Sequence, residues 1–210
     1  VTHDNTRYCL GSVLNHVLLH QTVIGQEAMQ QMEMAGDYPD IVIGCAGGGS
    51  NFAGLAFPFV LDKINGRQIE IYPVEPKACP TMTRAPFAYD HGDTAGYTPL
   101  LPMHSLGHNF VPAPIHAGGL RYHGMAPMLS HITDLGYIKP RAYQQLGCFA
   151  AGLQFAQAEG ILPAPETNNE VNGAIGEALR CKEEGVSRCI LFNLCGHGHF
   201  DMQAYRDYMD

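Results

Sequence analysis

The segment G-C-A-G-G-G-S-N, Gly44 to Asn51, sets three consecutive glycines between a short apolar run and an apolar-periodic stretch. Glycine lets the main chain approach a ligand and turn its N–H groups inward, and a helix N-terminus behind it adds partial positive charge. Such a loop suits a phosphate. Ser50 and Asn51 can add side-chain hydrogen bonds, which matters because no Lys or Arg lies between Gly36 and Leu61. Two commoner phosphate loops fail on spacing. A G-x-G-x-x-G fingerprint counted from Gly47 meets Phe52 at its third glycine, counted from Gly49 it meets Asn51 at its second, and there is no G-K-S/T. What remains is a loop for one phosphate monoester, beside the plainer reading of a tight strand-to-helix turn without a ligand.

A second constellation closes the chain: Cys189 to Leu194 reads as a strand, followed by Cys195-Gly196-His197-Gly198-His199. Ligands of open parallel sheets sit beyond the carboxyl ends of strands, so Cys195 and Asn51 are expected to face one crevice. His197 with His199, and His16 with His20 at i, i+4, are metal candidates, but neither pair has further ligands nearby in sequence. For His16 and His20 half-buried, hydrogen-bonded side chains are the plainer reading. Glu166, in E-G-I-L-P-A-P-E-T-N, stands before a helix. Residue type alone favours a cap there, and the functional alternative is a partner for a cofactor ring or substrate. His104 to Gly124 concentrates His, Gly and Pro, yet is too apolar at Leu106, Phe110, Val111, Ile115 and Leu120 to be simply solvated.

The elements that position these residues follow from periodicity. Tyr8 to Ala35 reads as one long helix bent near Gly25 and stopped at Gly36. Ile41 to Cys45 reads as a parallel strand covered on both faces, Ser50 as the cap of a helix running to Asn65-Gly66, and Ile69 to Val74 as a second strand. Glu75 to about Tyr122 shows no sustained period, far beyond ordinary connection length, and is read as a lid or interface. Helical patterning returns at 124–135, 141–158 and 168–184. The predicted fold is therefore α/β, an open and mostly parallel sheet flanked by helices, with residues 1–36 as a helix of an interdomain region and 37–210 as the α/β domain.

Composition narrows the function. Basic residues number 12 against 20 acidic, a net charge of -8 with no footprint for nucleic acid. No stretch approaches the ~18 apolar residues of a membrane span. Charged residues are only 15%, below the usual ~25%. Seven scattered cysteines, never spaced C-x-x-C, fit a reducing cytoplasm better than a disulfide framework or zinc ribbon. The start lacks a signal peptide's basic and apolar regions, and its missing Met suggests that the chain begins inside a longer protein.

Taken in order, G-S-V-L-N-H-V-L-L-H-Q-T-V-I-G-Q-E, C-A-G-G-G-S-N, V-E-P, H-S-L-G-H-N-F, E-G-I-L-P-A-P-E and N-L-C-G-H-G resemble the tryptophan synthase β chain family, in its longer, stand-alone-type branch, over nearly all 210 residues. The resemblance implies a fold type II pyridoxal-phosphate enzyme, incomplete on its N-terminal side. The family reaction is a β-replacement that turns L-serine and indole into L-tryptophan and water. On this reading Gly47, Gly48, Gly49, Ser50 and Asn51 hold the phosphate of pyridoxal 5'-phosphate. Cys195, with Gly196, falls where the family usually has Ser beside the pyridine nitrogen, and Glu166 matches the catalytic carboxylate near the ring. A thiol, like a hydroxyl, is neutral and leaves the ring nitrogen unprotonated, although it is a poorer donor. Asn109 and Phe110 match a substrate lid, with Asn109 standing where an Asp that pairs with an Arg is expected. Phe110, Gly44 to Gly47 and Glu75 frame a monovalent-cation site for K+ or Na+. A homodimer and a tryptophan synthase α chain are the implied partners.

One family feature is missing from these residues. The Schiff-base lysine lies in an H-K motif of the family's first half, whereas here Lys63, Lys77, Lys139 and Lys182 never follow a His and all read as solvated. The expectation is a C-terminal portion that grips the cofactor without its covalent anchor and does not make tryptophan alone. The alternatives are a non-catalytic phosphate-ligand-binding or assembly module with His104 to His123 as an interface, and a zinc-binding histidine protein.

Overall fold

Ile41–Cys45 is apolar at every position and forms β1, buried along its whole length. In the computed structural model, which describes residues 4–7 and 9–210, it is a central strand of a four-stranded parallel sheet. Its neighbours are β2 (Glu70–Pro76) and β6 (Ile190–Phe192), with Ile43 opposite Tyr72 on one side and Phe192 on the other. β5 (Arg141–Tyr143) completes the order β5-β2-β1-β6 by pairing with β2. Alternate residues of each strand point to opposite faces. Val42 and Ile71 join Val13, Leu18, Ala28, Phe52, Leu55 and Phe59 in one core, while Ile41, Ile43, Cys45, Tyr72 and Val74 join Cys181 in another. The first core lies under α1 (Asn15–Gln21), α2 (Val23–Ala35) and α3 (Ser50–Ile64). The second lies under α7 (Thr167–Glu184), itself packed on α6 (Gln145–Glu159). The predicted fold class is borne out.

Several local expectations are corrected. The long first helix is two, divided at Thr22, whose N–H and hydroxyl both return to the Leu19 carbonyl. Tyr8, its expected start, lies outside the described residues. Gly25 is not a bend: a Cβ there would sit 2.4 Å from the Leu55 carbonyl oxygen, so glycine is what lets α2 lie against α3. Gly36 does stop α2, in the left-handed region with its N–H on Glu33 and Met32. Ser50 does not cap α3; Gly49 takes that place at φ +118°, and the Ser50 hydroxyl lies 3.3 Å from that of Ser12.

The aperiodic segment holds α4 (Thr81–Arg84) and an antiparallel hairpin of β3 (Phe87–His91) and β4 (Leu100–His104). β3 is largely exposed, β4 runs from exposed Leu100 to buried Met103 and His104, and polar anchors such as the Asp93 carboxylate, which accepts from the N–H groups of Tyr97 and Thr98, hold the loop between them. Such a structure leaves no apolar period to read. Helix 124–135 contracts to α5 (Pro127–Asp134), and 141–143 is strand because Arg141 lays its guanidinium over Tyr72 and reaches Glu177. The last strand shortens to 190–192, and α8 (Met202–Met209) follows it. Among the described residues no helix is long and apolar enough to cross a membrane.

Candidate cofactor site

After Cys45 the chain leaves the sheet, its last tie being Ala46 N–H to the Val74 carbonyl at 2.8 Å, and turns into α3 through the three glycines. Each glycine is demanded by a different neighbour. A Cβ at Gly47 would lie 2.2 Å from the Gly119 carbonyl oxygen, one at Gly48 2.6 Å from Ser12 Oγ, and one at Gly49 2.4 Å from Leu129 Cδ1. The N–H groups of Gly47 to Asn51 meet no main-chain acceptor among the described residues, as expected for the unpaired first turn of a helix. The result is a narrow cradle of donors at the positive end of α3, which fits a phosphate.

Glu166 closes the opposite wall. It occupies the position before α7, but its side chain makes no cap bond; Oε1 instead accepts the Gly119 N–H at 2.8 Å, pinning the turn that abuts Gly47. The residue-type preference for a cap is therefore overturned here, because the tertiary donor at Gly119 competes for the carboxylate.

Asn51 and Cys195 do meet in one crevice, at Cys45. The Asn51 amide donates to Cys45 Sγ at 3.1 Å and to Glu170 Oε1 at 3.2 Å, while its Oδ1 accepts from Asn193. Cys45 Sγ lies 3.8 Å from Cys195 Sγ, and the Thr167 hydroxyl 3.1 Å from Cys195 Sγ. Glu170 is fully buried and accepts the Cys45 N–H at 2.9 Å. Burial, and then the neighbouring Cys195, raise its carboxyl well above the ordinary value. Hydrogen bonding to Cys195 and burial raise the Cys45 thiol. Cys195, which reaches solvent as a residue while its sulfur lies partly covered against Cys45 and Thr167, moves the other way: hydrogen bonding from Cys45 outweighs that partial burial and, with Thr167, pulls it down to about 6. It is therefore more acidic than the neutral stand-in for a hydroxyl that residue type suggests.

No lysine side chain makes a hydrogen bond or ion pair with Gly47 to Asn51 among the described residues. Lys77, Lys139 and Lys182 are exposed. Lys63 is half-buried, its ammonium lowered by burial and by Lys139. It sits at the far end of α3, about 20 Å from Ser50 along the axis.

A family model described as "Pyridoxal-phosphate dependent enzyme" matches residues 3–196. The chain belongs to this family of pyridoxal-phosphate-dependent enzymes. It is 57% identical over 212 residues to the tryptophan synthase beta chain 2 of Aquifex aeolicus (strain VF5), covering 99% of this chain and 49% of that protein. To the tryptophan synthase beta chain 2 of Pyrococcus abyssi (strain GE5 / Orsay) it is 57% identical over 208 residues, with 99% and 47% covered. The chain thus spans about half the length of the curated relatives it matches. Among solved structures, an L-serine ammonia-lyase from Rhizomucor miehei superposes at a TM-score of 0.70 and 15% identity, over 98% of this chain and 60% of that one. A threonine deaminase from T.th. does so at 0.65 and 17%, over 89% and 53%. These two likenesses bear on the fold alone.

Other predicted residues fall elsewhere. Asn109 is exposed, and Phe110 lines a cavity of about 270 Å³ with Leu10, Gly92 and Arg121. Both oxygens of buried Glu75 are taken up by Thr81, Met82 and Thr83. His16 and His20 are exposed rather than half-buried, with His20 Nδ1 2.8 Å from the His16 carbonyl oxygen. His197 and His199 are exposed neighbours, and neither pair gains a third metal-ligating group among the described residues. Sequence reasoning missed Cys45, Thr167 and Glu170. A signal existed for the last: Glu166, Glu170 and Glu177 fall within roughly 40° on a helical wheel, sharing a face with Gly173. That face packs on the sheet at Ile43 and Val74.

Proposed function

We propose that this chain is the cofactor-gripping half of a tryptophan-synthase-β-type lyase, which replaces the hydroxyl of L-serine by indole when the lysine-bearing half is present. The carrying observation is the triple-glycine cradle at the start of α3, walled by Gly119 and Ser12, in a sequence whose four lysines never follow a His. Gly47, Gly48, Gly49, Ser50 and Asn51 hold the phosphate through main-chain N–H groups, with the Ser50 hydroxyl added. The Asn51 side chain is engaged with Cys45, Glu170 and Asn193, so only its N–H contributes. Cys195, carried by Gly196 and steadied by Thr167, faces the pyridine nitrogen. Glu166 orients the 118–120 turn against the phosphate loop from beside the ring. When bound, pyridoxal phosphate supplies the electron sink for the reaction.

A monovalent cation near Gly47 and Phe110 would be held by main-chain carbonyls rather than by Glu75, whose oxygens are occupied. Asn109 and Phe110 are proposed as lid residues, and α1 and α2 as part of an interdomain region in the longer enzyme. A homodimer, an α chain partner and a cytoplasmic setting, which suits free cysteines, complete the reading.

Equilibrium dialysis tests it. Pyridoxal phosphate is expected to bind and inorganic phosphate to displace it, whereas unphosphorylated pyridoxal binds poorly and borohydride fixes no cofactor to the chain. Adding the N-terminal half of a related enzyme should restore serine-dependent indole consumption. A borohydride-fixed adduct on one of the four lysines, or no activity with that half, would refute the proposal.

A further inference from the structure

We propose that Cys45, Cys195 and Glu170 form a binding site for a borderline-soft divalent cation, Zn2+ in particular, at the mouth of the β1–β6 crevice. One ligand atom from each lies within 4.8 Å of the others. The two sulfurs are 3.8 Å apart, and two thiolates bound at ~2.3 Å to a tetrahedral zinc ion are separated by about 3.8 Å. The thiols are thus already spaced as two corners of a zinc tetrahedron, far beyond the ~2.05 Å of a disulfide. The third corner carries an independent sign of a missing ligand. Glu170 is fully buried at the start of α7, Oε1 accepts the Cys45 N–H, and Oε2 has no hydrogen-bond partner among the described residues. A buried, unpartnered carboxylate oxygen is costly unless a proton or a cation satisfies it.

The surroundings fit the same assignment. The Asn51 amide on Cys45 Sγ and the Thr167 hydroxyl near Cys195 Sγ stand where groups that orient metal-bound thiolates stand. No Lys or Arg hydrogen bond or ion pair to any of the three is present among the described residues. Exposure of Cys195 leaves a path for the ion and a fourth position for water. The zinc site itself requires no pyridoxal phosphate. As a corollary resting on the function proposed above, zinc on Cys195 removes the side chain offered to the pyridine nitrogen, so ion and cofactor compete.

The test uses the full chain, reduced, dialysed against Zn2+ and analysed for metal, with Co2+ as an optical probe. Expected are one zinc per chain and a thiolate-to-cobalt charge-transfer band. Cys195→Ser, a change at an exposed position, should lower zinc affinity at least tenfold and abolish the band. Glu170→Gln, which keeps the acceptor for Cys45 N–H, should weaken zinc at least tenfold. Cys9→Ser and the double change His197→Ala/His199→Ala should do neither. Zinc bound equally by Cys195→Ser, zinc lost with the histidines instead, or sub-stoichiometric zinc in the unaltered chain would overturn the assignment. The corollary is read separately, from pyridoxal phosphate retention at rising zinc, so its failure leaves the metal site standing.

Discussion

Replacing Gly47 by alanine probes the cradle most directly. The added methyl would sit 2.2 Å from the Gly119 carbonyl oxygen, 1.2 Å short of the 3.4 Å at which ordinary contact begins. The obstacle is main chain, and the Glu166 carboxylate holds that turn by the Gly119 N–H, so no rotamer change relieves it. Overpacking costs roughly 1–3 kcal/mol, and the upper end applies where the neighbour cannot turn aside. For a chain of this length about 3 kcal/mol lowers the melting temperature by roughly 6–12 °C. Moving the loop by about an ångström also stretches its N–H groups off a phosphate, and losing even one charge-assisted bond of ~1.5–3 kcal/mol weakens binding by at least about tenfold. Circular-dichroism melts and phosphate-competed dialysis of pyridoxal phosphate measure both effects. Gly118→Ala is the control, since a Cβ there meets nothing within 4 Å, and it should stay within ~0.5 kcal/mol of the parent. Gly47→Ala behaving like Gly118→Ala in both assays would refute the packing argument.

Three further outcomes are expected. Glu166→Ala should cost about 1 kcal/mol and weaken phosphate binding while leaving helix content unchanged, because the side chain pins Gly119 rather than capping α7; a drop in helicity on circular dichroism would contradict this. Glu177, buried between Arg141 and Arg180, should cost roughly 1–3 kcal/mol on change to Gln by urea unfolding, less than a fully buried pair because both arginines are partly exposed and Arg180 also reaches Glu70 and Glu184. Burial raises the Asp90 carboxyl, but the Ser105 hydroxyl, His108 ring and His91 N–H together hold it below its ordinary value. With the folded value below the unfolded one, its stabilisation is present above about pH 4 and lost as pH falls through the folded value. Melting temperatures should therefore fall more steeply in acid for the parent than for Asp90→Asn.

The sheet and its helices were legible where burial is continuous or periodic. β1 needed only I-V-I-G-C, α3 kept the apolar positions Phe52, Leu55, Phe59 and Val60, and α3, α6 and α7 kept their ends at Asn65, Gly160 and Gly185. The glycine loop could be read because three glycines in a row have few structural uses. What escaped was held by polar contacts between distant segments: the β3–β4 hairpin, which rests on Asp90, Asp93 and His104, and the direction of Glu166, decided by Gly119. The cluster at Cys45 escaped for a related reason. Thr167-Asn168-Asn169-Glu170 is polar enough to pass for a solvated helix start, yet all four residues are buried.

The glycine cradle and the crevice beside it are assembled from pieces far apart along the chain: Ser12 meets Ser50 across 38 positions, Gly119 meets Glu166 across 47, and Cys45 meets Cys195 across 150. Contacts of such separation are reached late in folding, after the helices and the β1–α3 unit have formed. Helical content during refolding should therefore return before any capacity to hold a phosphate. Retention of the ligand makes a stricter criterion of a finished chain than any spectroscopic measure of its helices.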